Sequence, residues 1–472
     1  MHLTANGTKD GEGRNEETTK LKLSKPLDGF PSEIFNLAGS LEHLDLSGTG
    51  LSTLPEDFCR LEKLKIAFFS NCNFTVFPKQ LAACPSLEMV AFRGNQMTEI
   101  PEDSLPPKLR WLILTHNRIE ALPRSIGNCA RLQKCMLAGN QLRSLPHEMA
   151  ACRKLGLLRL SANRIAALPD WLFELPELAF LSFAGNPCCR SWSPATTSSS
   201  SSAKDGGRGG TTTPFSSLPG VSWQDLDVYD LLGEGASGVI SKGLWNGVDS
   251  SAQEVAIKLF KGDVTSDGTP ADEMLACITA GSHANLIDPL GKIHDHPHRA
   301  EGLVMQLVPP HFKNLGFPPS LQSCTRDCFS EDIQLTTRQG VRILQGIAAA
   351  AWHLHSRGVA HGDLYAHNIL YSSDDEHALL GDFGAASIYT TSYHGKVERL
   401  EVLAFAHLME DVWSITRPKF DEWELQVATQ LAALHRRCSG PVGSERPGFG
   451  EIHRQLSTLH QQLVAPCSSV PC

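Results

Sequence analysis

The stretch His361-Gly-Asp-Leu-Tyr-Ala-His-Asn-Ile-Leu370, followed by Leu380-Gly-Asp-Phe-Gly384, decides the fold of the C-terminal half of this chain. It sets an aspartate and an asparagine five residues apart, and then a second aspartate between a glycine and a phenylalanine. Upstream, in fixed order, stand a glycine loop, Gly233-Glu-Gly-Ala-Ser-Gly238, and an apolar strand with one inward lysine, Val255-Ala-Ile-Lys258. Glycines so spaced let backbone amides approach phosphate oxygens, because no Cβ intervenes. A lone glycine triad also occurs in plain turns, so the order of the pieces carries the information.

Over residues 225–464 these motifs resemble the eukaryotic-type protein kinase family. The resemblance implies an α+β two-lobed domain that uses ATP and Mg²⁺. Lys258 would bind the nucleotide phosphates and be held by a helix carboxylate. Counting back from Ser282-His-Ala-Asn-Leu-Ile287 makes Glu273 that partner, ahead of Asp272. Asp363 would take or orient the proton of the acceptor hydroxyl, while Asn368 and Asp382 would hold the metal. The nucleotide would be enclosed by Leu232, Gly233, Glu234, Gly235, Ala236, Ser237, Gly238, Val239 and Ile240. Ala256, Lys258, Met305 at the gatekeeper position, Gln306 and Val308 at the hinge, and Leu370 would complete the enclosure.

The departures from the family pattern are specific. Gly362 stands where the family places an arginine, and Tyr365 where serine/threonine kinases place a lysine. The family's central helix, here Glu401-Val-Leu-Ala-Phe-Ala-His-Leu-Met-Glu410, begins within twenty residues of Asp382, so the activation segment is drastically short. No Ala-Pro-Glu element is present, which leaves Arg446 without its usual partner. A switch that pairs a phosphate with the loop arginine is expected to be absent. A serine/threonine acceptor follows from the family resemblance alone. A nucleotide-binding scaffold with negligible transfer and a kinase with a small-molecule acceptor are the alternatives.

From Leu41 to Asn186 the chain repeats itself every 23 residues, once every 22. Aligning Leu54-Pro55, Phe77-Pro78, Ile100-Pro101, Leu122-Pro123, Leu145-Pro146 and Leu168-Pro169 brings Leu41, Leu64, Leu87, Leu109, Leu132, Leu155 and Leu178 into one column. Such columns mean a solenoid of stacked units. Asn95, Asn117, Asn140, Asn163 and Asn186 recur where a buried amide could satisfy backbone groups, with Thr49 and Cys72 breaking the column. Over residues 18–189 the pattern resembles the short leucine-rich repeat family, an α/β solenoid with strands on its inner face. Strand positions 3 and 5 would point outward from the core. They form an apolar stripe including Phe68, Met89, Trp111, Ile113 and Met136, and they continue to Arg159, Phe180 and Ser182. The stripe either recruits a protein partner or is covered by the chain itself.

The divisions expected are a disordered N-terminus (1–17), the repeats (18–189), a linker (190–220), the kinase-like domain (221–464) and a tail (465–472). The linker, with five serines at 198–202, would let the domains move independently. Of the 472 residues, 41% are apolar and 20% charged, as in globular proteins, and the net charge of -9 argues against nucleic-acid or membrane binding. With no secretion signal and no apolar run approaching the ~18 residues of a bilayer span, a cytoplasmic location is expected. The 14 cysteines lack zinc-site spacing, and His294, His296 and His298 fit a polar hairpin tip better than a metal site.

Overall fold

The computed structural model describes residues 18–189, 218–235, 237–247, 252–261, 264–417, 422–441 and 446–464. The expected linker up to residue 217, both termini and Ala236 of the glycine loop lie outside the described residues.

The repeats build one parallel sheet of eight three-residue strands in chain order: β1 (Lys20–Lys22), β2 (His43–Asp45), β3 (Ile66–Phe68), β4 (Met89–Ala91), β5 (Trp111–Ile113), β6 (Lys134–Met136), β7 (Leu157–Arg159) and β8 (Phe180–Ser182). The middle residue of each strand from β2 onward (Leu44, Ala67, Val90, Leu112, Cys135, Leu158 and Leu181) is buried. The flanking residues form the inner face, because side chains alternate along a strand. In five units a proline (Pro31, Pro78, Pro123, Pro146, Pro169) precedes the 3-10 turn that carries the chain back, a position where its missing N–H costs nothing.

The asparagine column is a ladder. Asn117 Oδ1 accepts the backbone N–H groups of Asn95 and Met97 at 3.1 and 2.9 Å, and its Nδ2 donates to the carbonyls of Phe92 and Leu114, each at 2.8 Å. Asn140, Asn163 and Asn186 repeat the pattern one unit on each time. Where Thr49 interrupts the column, its hydroxyl donates to Leu46 O at 2.7 Å, and the Cys72 thiol reaches the same carbonyl at 3.3 Å. Each substitute serves the backbone group its position exposes.

The C-terminal domain has two lobes. The first is a six-stranded sheet formed by β9 (Gly220–Ser222), β10 (Leu226–Glu234), β11 (Gly238–Asn246), β12 (Ala252–Phe260), β13 (Pro289–His294) and β14 (Gly302–Gln306), in the order β10-β11-β12-β14-β13-β9. Helix α1 (Pro270–Ala280) follows β12. It starts at Thr269, whose side chain accepts the N–H of Asp272, with Pro270 at the first helical position. The second lobe is helical. It contains α2 (Thr337–Ser356), opened by a capping box of Thr336 and Gln339, then α3 (His394–Ser414), α4 (Glu422–Cys438) and α5 (Phe449–Val464). The short strands β15 (Lys313–Asn314), β16 (Val359–Ala360), β17 (Ile369–Ser372), β18 (His377–Leu380) and β19 (Ser387–Ile388) lie between them. Arg446, which lacks its expected carboxylate, donates instead to the carbonyls of Gly440 and Arg399 at 2.9 and 3.1 Å.

The expectation of two independently moving domains is overturned. Leu157, Ala179 and Phe180 of the repeats belong to the core of the helical lobe, and Ala360, Tyr389, Val397 and Leu400 belong to the core of the repeats. The second half of the inner face is packed against the C-terminal domain, so the apolar stripe is in part an internal surface. Trp111 donates its indole N–H to Cys324, and Met136 packs against the core of the helical lobe. Linker composition describes only the covalent join, and apolar burial decides whether domains separate.

Candidate active site

The cleft between the lobes is assembled from strands, a helix and loops of both lobes. The glycine loop joins β10 to β11, with the Gly235 N–H donating to Gly238 O at 2.9 Å. A Cβ on Gly238 would sit 2.5 Å from Leu259 O, so only glycine fits, whereas Gly233 and Gly235 face open space. Leu232, Gly233 and Glu234 end β10, and Val239 and Ile240 open β11. Beneath them, Ala256 pairs with Met305 across β12 and β14, Gln306 ends β14, Val308 follows it half-buried, and Leu370 lies on β17.

Lys258 on β12 points inward and pairs with Glu273 of α1. Asp272, three residues after the cap, is turned elsewhere, and its carboxylate accepts from the Thr269 hydroxyl at 2.6 Å. Burial alone would lower the pKa of Lys258, but Glu273 and Asp382 outweigh it and hold the ammonium form. Asp382 has φ 55°, a left-handed conformation that aspartate tolerates, and accepts the Gly384 N–H at 3.1 Å. Its side chain faces solvent in the cleft.

Asp363 is fixed from two sides. Asn368 Nδ2 donates to Asp363 O at 2.9 Å and Oδ2 at 3.1 Å, and Arg159 of β7 donates to Oδ1 at 2.5 Å. Burial pushes the Asp363 carboxyl up, but Arg159, His367 and His361 together hold it below the usual carboxylate range. Below this loop the buried Glu401 of α3 accepts the N–H groups of Gly362 at 2.6 Å and His361 at 3.3 Å, and pairs with His355 at 2.7 Å. Burial opposes its charge, but the His355 hydrogen bond dominates the factors that keep Glu401 ionised. Glu401 therefore holds the backbone of the loop that carries Asp363 from the core side.

A family profile described as protein tyrosine and serine/threonine kinase matches residues 226–406, and leucine rich repeat profiles match 40–61 and 107–165. This chain carries a protein kinase domain behind leucine-rich repeats. It is 24% identical over 286 residues to probable serine/threonine-protein kinase gdt2 of Dictyostelium discoideum, covering 51% of this chain and 16% of that one. It is 26% identical over 214 residues to kinase suppressor of Ras 2 of Homo sapiens (43% and 20%). It is 22% identical over 282 residues to tyrosine-protein kinase csk-1 of Caenorhabditis elegans (52% and 49%). The matched stretch thus spans less than half of each relative, and their names include both classes of hydroxyl acceptor. Among the described residues no helix is long and apolar enough to cross a membrane.

Three residues at the kinase site were not singled out by the motifs. Arg159 comes from the seventh strand of the repeats, Asp267 from the segment before α1, and Phe180 from the eighth strand. Phe180 lies flat on Tyr365, with ring centroids 3.9 Å apart and planes 9° apart. Asp267 Oδ1 is 2.7 Å from Arg159 Nε, and Asp267 O accepts from the Ser182 hydroxyl at 3.2 Å. One signal was available for Arg159: it is the arginine in an otherwise largely apolar stripe.

Proposed function

We propose that this chain is an ATP-dependent protein kinase that phosphorylates serine or threonine hydroxyls. The observation that carries this reading is the simultaneous pairing of Lys258 with Glu273 and of Asn368 with Asp363, around a cleft into which Asp382 is exposed. The open backbone at Gly233 and Gly235 and the charged Lys258 suit the phosphates of ATP. Asp382 and the Asn368 Oδ1, left over once Nδ2 is committed to Asp363, are hard oxygen donors that suit Mg²⁺ completed by phosphate oxygens. Bound there, Mg²⁺ supplies charge neutralisation at the phosphates.

The acceptor hydroxyl oxygen bonds to the γ-phosphorus as the bond to the β–γ bridging oxygen breaks. ADP leaves and the hydroxyl proton passes to the Asp363 carboxylate. The serine/threonine assignment is supported by the family resemblance and by relatives such as gdt2. A small hydroxyl-bearing acceptor is the second reading, favoured by one observation. The repeats cover the surface beside Asp363, with Phe180 on Tyr365 and the Phe183 N–H donating to the Ser387 hydroxyl at 2.9 Å. With γ-labelled ATP and pools of proteins and of metabolites as acceptors, the wild type transfers label, whereas Lys258→Met and Asp363→Asn reduce transfer to background while remaining folded. Undiminished transfer in either variant would sink the assignment.

A further inference from the structure

Arg159 is 2% exposed, a rare situation for an arginine, and its guanidinium reaches across the domain boundary. Nη1 donates to Gly362 O at 2.8 Å, Nη2 donates to Asp363 Oδ1 at 2.5 Å, and Nε forms an ion pair with Asp267 Oδ1 at 2.7 Å. The catalytic loop is shaped to receive it. Gly362 has φ 74°, and a Cβ there would lie 2.5 Å from Ala385 O and 2.8 Å from Leu181 O of β8. No side chain fits at 362, because the backbone of Ala385 and of β8, the strand beside the one that brings the arginine, takes the space.

We propose that Arg159, supplied by the repeats, is a positioning residue for phosphoryl transfer that fixes the Asp363 carboxylate and places a permanent cation beside it. The inference rests on the kinase reading given above. Asp363 and Asp267 share this arginine, Asp382 stands nearby, and a triphosphate adds further negative charge. Arg159, unlike a mobile surface cation, is held by three partners and needs no reorganisation when the charge redistributes. A carboxylate has about four lone-pair sites, so the bonds from Arg159 and Asn368 fix its plane and still leave capacity for an acceptor proton.

The rest of the docking argues for a working contact and against a removable block. The repeats hold three catalytic parts at once: the segment before α1, through Ser182 and Asp267; the catalytic loop, through Arg159; and the segment after Asp382, through Phe183 and Ser387. The two domains also share buried apolar side chains, and opening that surface would expose core. Arg159 thus belongs to the site whenever the chain is folded.

The groups facing Asp363 are Arg159 and Lys134 from the repeats, Asp267 before α1, His361, Tyr365 and His367 on its own loop, and Asp382. Of these, Arg159 donates to Asp363 Oδ1 from across the domain boundary, so its removal leaves that oxygen without its donor and the carboxylate free to turn.

The test uses the full chain with Mg²⁺ and γ-labelled ATP, following transfer to the chain itself, to casein and to water. Thermal unfolding and ATP affinity are measured alongside. Arg159→Met, which keeps the stem and loses the charge, is expected to lower kcat about a hundredfold. The KM for ATP should be little changed, because the residues that enclose the nucleotide are untouched. Arg159→Lys keeps the charge and loses the fork. It restores part of the kcat lost in the methionine variant, and it decides the matter if that variant does not fold. A rise in kcat in either variant would make the contact an autoinhibitory clamp and overturn the proposal. An unchanged kcat would reduce it to a structural contact. An inactive wild type overturns the kinase reading as well, whereas an active wild type with unaffected Arg159 variants overturns only this inference.

Discussion

The first and second halves of the repeat inner face are built by the same rule and meet different fates. At β2 and β3 the outward positions, His43 with Asp45 and Ile66 with Phe68, are half-buried, and His43 packs edge-on to Phe68 at 5.2 Å. At β7 and β8 the equivalent residues, Leu157 with Arg159 and Phe180 with Ser182, are buried. Among the described residues, every hydrogen bond and ion pair between the two domains comes from residues 110–183. A solenoid makes a uniform face, and docking divides it into a half bonded to the kinase domain and a half that, among the described residues, makes no such bond.

The sharpest way to break this comparison is at Phe180. Its ring is fully buried and stacked on Tyr365, so Phe180→Ala leaves a cavity in the core that the two domains share. A loss of about 3–5 kcal/mol is expected. Calorimetry should show the single transition of the fused unit lowered or split in two, and phosphoryl transfer should fall with it because the Arg159 strand is its neighbour. An unchanged melting profile would mean that the shared core does not couple the domains.

The same comparison shows what the residues alone could convey. The repeat columns were legible because a solenoid writes its core as a period, and the asparagine ladder because each amide serves a group one unit away. The kinase motifs were legible because nucleotide chemistry needs particular atoms at particular spacings. Glu273 was chosen over Asp272 by counting, and the structure puts it on Lys258. The docking left almost no mark, since it joins Arg159 to residues more than 200 positions away, and periodicity describes what a face contains without saying what covers it. In the sequence Gly362 is a missing arginine. In the fold its missing side chain is also the condition for the repeat strand to approach.

Acid provides a graded test of the docked half. His407 on α3 packs near Phe180, with ring centroids 6.4 Å apart, and its pKa is lowered to about 4, chiefly by burial and then by Arg326. In the unfolded chain the ring protonates near the ordinary value of about 6.5, so the unfolded state binds more protons between the two values. Stability is therefore lost as pH falls from 6.5 toward 4, on the order of 1–2 kcal/mol by pH 5. His43, in the undocked half, is lowered by burial as well and contributes in the same direction. Denaturant unfolding at pH 7 and pH 5 should show a smaller acid loss in His407→Gln than in the wild type. Equal losses would remove His407 from the account.

The smallest effect is expected where the face is undocked, and that makes it the most informative control. Phe68 is half-buried on β3, packs on His43, and lies outside the stretch that joins the domains. Phe68→Ser should cost about 1 kcal/mol or less, as for surface substitutions away from core and charge networks. It should leave kcat, the KM for ATP and the cooperativity of unfolding as in the wild type. If Phe68→Ser instead lowered phosphoryl transfer to purified protein acceptors without altering transfer to water, the undocked half would be a substrate-recruiting surface. If it lowered both equally, the two halves would not be functionally distinct, and the whole inner face would have to be regarded as one unit with the kinase domain.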